Sequence, residues 1–534
     1  MTTVQHFLGI DVGTGSARAG IFTADGEMLA SAKRDIAIFH EPGEIVEQSA
    51  NDIWHAICAS VRIALAEADI DASAIGGIGV DATCSLVVVG PGGIPLPVGP
   101  SEDAERNIIV WMDHRATEQA RRITALGHDV LRYVGGTISP EMETPKLLWL
   151  REHRPAVFDS AEHFFDLADY ITWRMSGSVA RSSCTVTCKW TYLAHEGRWD
   201  PTYFHSIGLA VLADEGFARI GTEIVAPGTR IGGLTDRAAT DLGLLPGTPV
   251  ASGLIDAHAG GVGTVGAIGR PEDNMAYVFG TSSCTMTTTA APAFVPGVWG
   301  PYYDAMLSDF WLNEGGQSAA GAAIDRLVAL HPAASETRMK AADRGLSLLA
   351  YLSREAVAQS TTASDAIRLA DGLHVVPEFL GNRAPFADPD ARAIIAGLGM
   401  DQSEKSLVAL YVAGVSGIGY GLRQIIEVQS RHGAPVERVI ISGGAGQDNL
   451  VRQLLADTSG LPVVSTEAAE PVLLGAALLG ALASKRYDTM PDAMAAMTRS
   501  AEIFPPATGD LTKIHERRFG VFTALQAAAR LNQH

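Results

Sequence analysis

Two aspartates and three glycine turns are the residues of this chain whose types and spacing could do chemistry. In Ser252-Gly253-Leu254-Ile255-Asp256-Ala257-His258 an apolar strand ends in small residues that expose one carboxylate to a cleft, where it could take a proton from a hydroxyl. The same position suits an N-cap for a small-residue helix beginning at Ala257, and the residues alone leave both readings open. Asp11 closes an apolar run just before Gly13-Thr14-Gly15-Ser16. Glycine there lets the backbone approach a ligand, and the Thr and Ser hydroxyls add donors for phosphate oxygens. A carboxylate at the end of an apolar strand is costly unless paired, and a phosphate-bound Mg²⁺ is a suitable partner. The turn is no Walker loop, since GxxxxGK[ST] is absent, and Arg18 stands where a third Rossmann glycine would be. Taken alone, it also suits a plain hairpin.

Gly280-Thr281-Ser282 and Gly443-Gly444-Ala445-Gly446 end two further strand-like runs, and the second opens a helix whose dipole favours anions. Three such turns with Asp11 and Asp256 point to one extended polyphosphate ligand. Gly261-Val262-Gly263-Thr264-Val265-Gly266 formally matches GxGxxG, but no apolar strand ends in it, so a dinucleotide site there is not expected.

The elements that must hold these residues follow from periodicity. Residues 9–12, 17–23 and 28–36 read as three strands, with Ala24-Asp25-Gly26-Glu27 as a hairpin turn. Residues 51–66 place Trp54, Ile57, Cys58, Val61 and Leu65 at helical spacing, and 75–80 follows as a buried strand. The second half repeats the pattern weakly: strands at 275–279 and 284–287 flank a small polar turn, then strand 438–442, helix 448–457 and a last strand-helix pair. Alternating strands and helices argue for two α/β domains, divided near residue 264 in the glycine-rich stretch 260–269.

Composition narrows the function classes. Of 534 residues 47% are hydrophobic and 19% charged, which excludes disorder as the main state and allows two large cores. Forty basic against 60 acidic residues give a formal charge of −20, which repels nucleic acid and anionic membranes. Five irregularly spaced cysteines exclude a disulfide framework and suit a reducing, cytoplasmic setting; Cys184 and Cys188 read as two buried thiols, not as a metal pair. Met1 to Phe7 shows no leader pattern, and the apolar run 472–483 falls short of the roughly 18 residues that span a bilayer.

Together the motifs resemble those of the FGGY carbohydrate kinases of the actin-like ATPase superfamily, which includes glycerol kinase, xylulokinase and ribulokinase. The resemblance covers nearly the whole chain. Gly9-Ile10-Asp11-Val12-Gly13-Thr14-Gly15-Ser16 is similar to the family's first phosphate motif, Gly280-Thr281-Ser282 to its second, and Ile441-Ser442-Gly443-Gly444-Ala445 to its adenosine motif, in the family's order. Trp111-Met112-Asp113-His114-Arg115 resembles its W-x-D-x-R sugar-side element, and residues 471–483 its C-terminal helix.

The resemblance implies an α/β fold of two actin-like ATPase (ribonuclease H-like) domains with a cleft between them: sugar and first phosphate motif in 1–264, nucleotide in 265–534. It implies an ATP-dependent sugar kinase using Mg²⁺, with Asp256 as catalytic base and Asp11 helping to place the metal. Nucleotide contacts implied are Gly13, Thr14, Gly15, Ser16 and Arg18, then Gly280, Thr281 and Ser282, then Gly443, Gly444, Ala445, Gln447 and Asn449. Ser183-Cys184-Thr185 with Lys189, and Asn313-Glu314-Gly315-Gly316-Gln317-Ser318, look most like the ribulokinase branch. Lys189 and Glu314 are accordingly implied sugar contacts, joined by Thr83, Cys84, Ser85, Trp111 and Asp113. Residues 81–88 and Gly381-Asn382-Arg383-Ala384-Pro385 resemble the branch acting on D-ribulose or ribitol, so these are the expected acceptors, with L-ribulose and D-xylulose as alternatives. The chain lacks the Arg-Glu pair that grips the polyol in glycerol kinase, which counts against glycerol. Family members are often dimers or tetramers, and a homodimer or homotetramer is expected.

Each polar residue also has a plain reading: Lys189 as a solvated lysine, Trp111 as a core aromatic, Asp113 as the ion-pair partner of Arg115. The rival from another class is a non-catalytic sensor on the same scaffold, which would not need a cleft carboxylate at Asp256.

Overall fold

The computed structural model describes residues 5–531; residues 1–4, on which part of the leader reading over Met1 to Phe7 rests, lie outside them, as do 532–534. The chain forms two α/β bodies of like connectivity. In the first, His6–Val12, Ser16–Phe22 and Met28–Asp35 make the expected antiparallel meander. The helix Ala50–Ala68 starts where the Ser49 hydroxyl accepts the N–H of Asp52, and it turns the stripe Ile53, Trp54, Ile57, Val61 and Ala64 inward. It returns the chain to Ile75–Ala82, which lies parallel to His6–Val12 with Asp81 opposite Asp11. Both strands are buried on both faces, as their continuous apolar runs require of a sheet's centre. Leu254–Ile255 pairs in parallel with Ile75–Ala82 on its other side.

The second body repeats this order. Asn274–Phe279, Ser283–Thr289 and Trp311–Gln317 form an antiparallel meander, and Arg438–Ser442 runs parallel to Asn274–Phe279. Val463–Thr466 extends the sheet in parallel and Ser500–Phe504 closes it antiparallel. The weak internal repeat is therefore real at the level of topology. The helix Glu404–Arg431 is long and apolar enough to cross a membrane by length and composition, a feature that the apolar-run count missed; most of it is buried in this second body.

Two helices tie the bodies together. Asp256–Val265 leaves the first sheet and packs on the second, while Pro471–Ala483 leaves the second sheet and lies across the first. Where they cross, a Cβ on Gly263 would collide with the Pro471 carbonyl oxygen, and one on Gly475 with that of Ala259. Pro471–Ala483 approaches the first sheet equally closely, over Gly9, Gly77 and Gly79. The glycine-rich stretch 260–269, where the division between the domains was expected near residue 264, is helical as far as Val265, and its glycines pack closely where the chain passes from the first body to the second. The formal GxGxxG match lies within the same helix and the turn after it.

Candidate active site

Three carboxylates meet at the carboxyl edge of the first sheet, where open parallel sheets bind their ligands. Asp11 and Asp81 face each other across adjacent parallel strands, and Leu254, two residues before Asp256, is in register with Asp81. Asp256 opens its helix as the first helical residue, with Ile255 in the N-cap position, and its Oδ1 accepts the Ala257 N–H at 2.7 Å. The helix thus starts one residue earlier than the capping reading required and Asp256 is not its N-cap; it lies beside Asp11 and Lys189. Burial first, and then the Asp11 charge, raise its pKa to about 6 against the pull of the Ala257 N–H, His258 and Lys189. Asp81 is fully buried and neither of its oxygens has a hydrogen-bond partner among the described residues. Burial first, and then the charges of Asp11 and Asp256, push it far above the usual carboxylate range. An oxygen-only set with one unpartnered member suits a hard cation such as Mg²⁺.

The glycine turns expected to hold phosphates have room above them. Gly13 donates its N–H to the Ser16 carbonyl at 3.0 Å, and a Cβ added at Gly13, Gly15, Gly280 or Gly444 would touch at most one protein atom, no nearer than 3.7 Å. None of these four needs a left-handed backbone, so φ does not explain their being glycine, whereas open approach to the backbone does. Gly443 differs: its φ is 90° and a Cβ there would run into the Phe279 carbonyl, so it shapes the turn. Thr281 and Ser282 donate no side-chain hydrogen bond to the described residues, while the Thr281 carbonyl is tied to the Ala320 N–H at 2.9 Å. A cleft of about 620 Å³ joins Arg18 of the first body to Ser442, Gly443, Gly444, Gln447 and Glu470 of the second. An adjoining cleft of about 310 Å³ brings Gly13 and Ser16 to the same Arg18 and Glu470. Arg18 bridges the bodies: its Nε donates to Asp11 Oδ2 and its Nη1 to Glu470 Oε2, both at 2.6 Å. Ala445 turns toward the second core, and Asn449 begins the helix Asn449–Ser459, where its side chain accepts from Arg452.

The expected sugar contacts Lys189 and Glu314 come together from opposite bodies. Lys189 is buried at the end of the helix Ser183–Lys189 with its Nζ 5.0 Å from the Trp299 ring centroid. Burial disfavours its charge, but the Glu314 carboxylate favours it and the shift is upward; its ammonium donates no hydrogen bond to the described residues. Glu314, on Trp311–Gln317, is held down to about 2: burial opposes its charge, while Lys189, His258 and Arg383 favour it. Arg383 stands 6.0 Å from the same Trp299 ring. Glu141 is held below the usual range, against burial, by His114, Lys189 and Arg383.

Other expected sugar contacts are committed to the fold. Asp113 is fully buried, with its oxygens taken by Arg115 and the Val46 N–H, so the ion-pair reading describes it and the sugar-contact expectation does not. The Trp111 indole donates to Thr14 Oγ1 at 2.9 Å and its backbone N–H to Ser85 Oγ at 3.1 Å, which braces the first phosphate turn. Thr83 and Ser85 share a hydrogen bond of 3.1 Å, and Cys84 is buried with its thiol pKa pushed up by burial.

Comparison with known proteins decides the family. Residues 6–263 match the N-terminal domain of the FGGY family of carbohydrate kinases and residues 275–484 match its C-terminal domain. The chain belongs to this family. It is 43% identical over 533 residues to the FGGY carbohydrate kinase domain-containing protein of Homo sapiens, covering 98% of this chain and 96% of that one. With a D-ribulokinase of Saccharomyces cerevisiae it shares 39% identity over 522 residues, 91% of this chain and 72% of the other. The fold matches that of the xylulose kinase from Rhodospirillum rubrum with a TM-score of 0.81 at 21% identity, over 98% of this chain and 99% of that one. The protein is a carbohydrate kinase, and its family uses ATP and a sugar.

In this FGGY kinase the structure brings further residues to the same group of side chains that the motifs did not yield. Asp81 was visible only as part of the run 81–88, and its meaning depends on strand register with Asp11. Trp299, Glu141 and His258 carry no local signature. Fully buried His258 sets Nδ1 3.1 Å from Cys184 Sγ and Nε2 3.4 Å from Glu314 Oε2. Burial opposes charge on both members of the thiol-imidazole pair, yet each holds the other charged, so Cys184 is pushed down and His258 up.

Proposed function

We propose that the protein transfers the γ-phosphoryl group of ATP to a terminal hydroxyl of D-ribulose. The observation that carries the chemistry is the placement of Asp256: one half-buried carboxylate between the first phosphate turn, through Asp11, and the sugar-side group Lys189. The identity with the yeast D-ribulokinase supports the choice of sugar.

In the reaction the sugar hydroxyl oxygen forms a bond to the γ-phosphorus as the bond to the β-γ bridging oxygen breaks, and ADP leaves. The hydroxyl proton passes to Asp256, whose pKa of about 6 keeps it mostly ionised at neutral pH yet basic enough to accept. Lys189 and Glu314 offer a donor and an acceptor to sugar hydroxyls and fix which one reaches Asp256. The backbone N–H groups of the glycine turns hold the phosphates, and Arg18 stands at the edge of the same clefts. Mg²⁺, for which Asp11 and Asp81 would be suitable ligands directly or through water, would offset charge on the phosphate oxygens when bound.

A coupled ADP-release assay over D-ribulose, L-ribulose, D-xylulose, ribitol and glycerol tests the reading. The expected result is the highest kcat/KM with D-ribulose. Preference for another pentulose or for ribitol would reassign the substrate, and no sugar-dependent ADP release from any of them would sink the proposal.

A further inference from the structure

The cluster behind the catalytic helix has a donor set that phosphoryl transfer does not use. Cys184 and Cys188 lie four residues apart on Ser183–Lys189 and so share one face of that helix. His258 reaches the same point from Asp256–Val265. The two sulfurs and one ring nitrogen all lie within 4.8 Å of one another, and the three residues are fully buried. A tetrahedral Zn²⁺, with bonds of about 2.3 Å to sulfur and about 2.1 Å to nitrogen, holds such atoms roughly 3.5 Å apart, so small rotamer changes suffice. The far nitrogen of His258 faces the Glu314 carboxylate at 3.4 Å. A carboxylate on the second ring nitrogen is the arrangement that orients metal-binding histidines and raises their basicity. Two sulfurs and an imidazole select a soft cation, whereas the carboxylates at the sheet edge select a hard one.

We propose that Cys184, Cys188 and His258 form a binding site for one soft divalent cation of the Zn²⁺ class, oriented by Glu314 and separate from the carboxylate site. Binding displaces the proton shared between Cys184 Sγ and His258 Nδ1 and the thiol proton of Cys188. A dication thus replaces two protons with no change of net charge, which a fully buried site requires. The site brackets the proposed base: His258 follows Asp256 by two residues, and the Ile255 N–H points at Cys184 Sγ at 3.4 Å. A bound cation would therefore fix the start of the helix that presents Asp256.

The test uses the full chain, stripped of metal with a chelator under reducing conditions and titrated with Co²⁺. The expected result is that one equivalent gives a thiolate-to-cobalt charge-transfer band and the visible bands of a tetrahedral site, both abolished by excess Zn²⁺ and unaffected by excess Mg²⁺. Cys184→Ser and Cys188→Ser should each weaken binding by at least tenfold, and Glu314→Gln by roughly 10- to 100-fold. X-ray absorption on the Zn²⁺-loaded wild type requires no variant and should show two sulfur neighbours at about 2.3 Å. A coordination sphere of only nitrogen and oxygen, or an undiminished cobalt band in a folded Cys184→Ser/Cys188→Ser double variant, would overturn the assignment.

Discussion

Asp256 owes its raised pKa to burial first and to the Asp11 charge second, and both act in the direction that makes it a better base. Since only the ionised form accepts a proton, kcat/KM should rise with pH through about 6 and then level off. Asp256→Asn should remove this limb and lower kcat by roughly 10²- to 10⁴-fold, with the KM for ATP changed no more than a few-fold. Steady-state kinetics from about pH 5 to about pH 8 check both statements, and near wild-type turnover in the variant would end the base assignment. Asp81 has the opposite relation to stability. Its folded pKa lies far above its unfolded value, so between the two the native state holds a proton that the unfolded chain has lost. Stability is then greatest below the unfolded pKa and declines as pH rises toward the folded one. Asp81→Asn removes the titration, so without metal the variant should melt at a higher temperature than wild type at pH 7, with the gap closing as pH falls toward about 4. Its activity should drop all the same if Asp81 serves the metal. Melting curves over that pH range decide the first point, and a gap that widens on acidification would mean that Asp81 is ionised in the fold.

At the scale of elements, the crossing of Asp256–Val265 with Pro471–Ala483 links stability to catalysis, because the first of these helices presents Asp256. Alanine at Gly263 would gain roughly 1 kcal/mol of helix propensity. Against this its Cβ would collide with the backbone oxygen of Pro471, which no flexible side chain can relieve. The steric effect should win: Gly263→Ala is expected to lose roughly 1–3 kcal/mol of stability and to lower kcat by displacing Asp256. Gly520 supplies the control. It is exposed within the helix Asp510–Leu531 and an added Cβ would meet nothing within 4 Å, so Gly520→Ala should stabilise by roughly 0.4–1 kcal/mol with kcat unchanged. Chemical denaturation and turnover measured on both variants check the pair. Equal stability of Gly263→Ala and wild type would show that the helices can separate without cost.

For the whole molecule, what could be read from the sequence followed the range of the interactions involved. The strands around Asp11 and the turns at Gly13, Gly280 and Gly443 have local signatures, since φ, hydrogen-bonding room and apolar periodicity act over a few residues, and they fell where expected. The partners of Asp81, Lys189 and His258 come from chain segments far away in sequence, so burial and pairing there had no signature to read; the Asp113–Arg115 pair, two residues apart, was legible as one of two readings, and full burial of both side chains decides for it. The glycines of 260–269 stand where the chain passes from one body to the other, but their close packing was not legible, because the partner is a helix some two hundred residues later. The Arg18–Glu470 bridge is another such long-range link, and it spans the clefts assigned to the nucleotide. Both side chains are about one-third exposed, so the pair itself should contribute no more than about 1 kcal/mol. Its electrostatic role is larger than its energy suggests, because Glu470 competes with the phosphates for the guanidinium. Glu470→Gln should therefore lower the KM for ATP a few-fold at low ionic strength, leave the KM for the sugar unchanged, and lose the effect at about 0.5 M salt, where screening acts within a few ångströms. Kinetics at two salt concentrations test this, and an ATP affinity insensitive both to the substitution and to salt would place Arg18 outside the path of the phosphates.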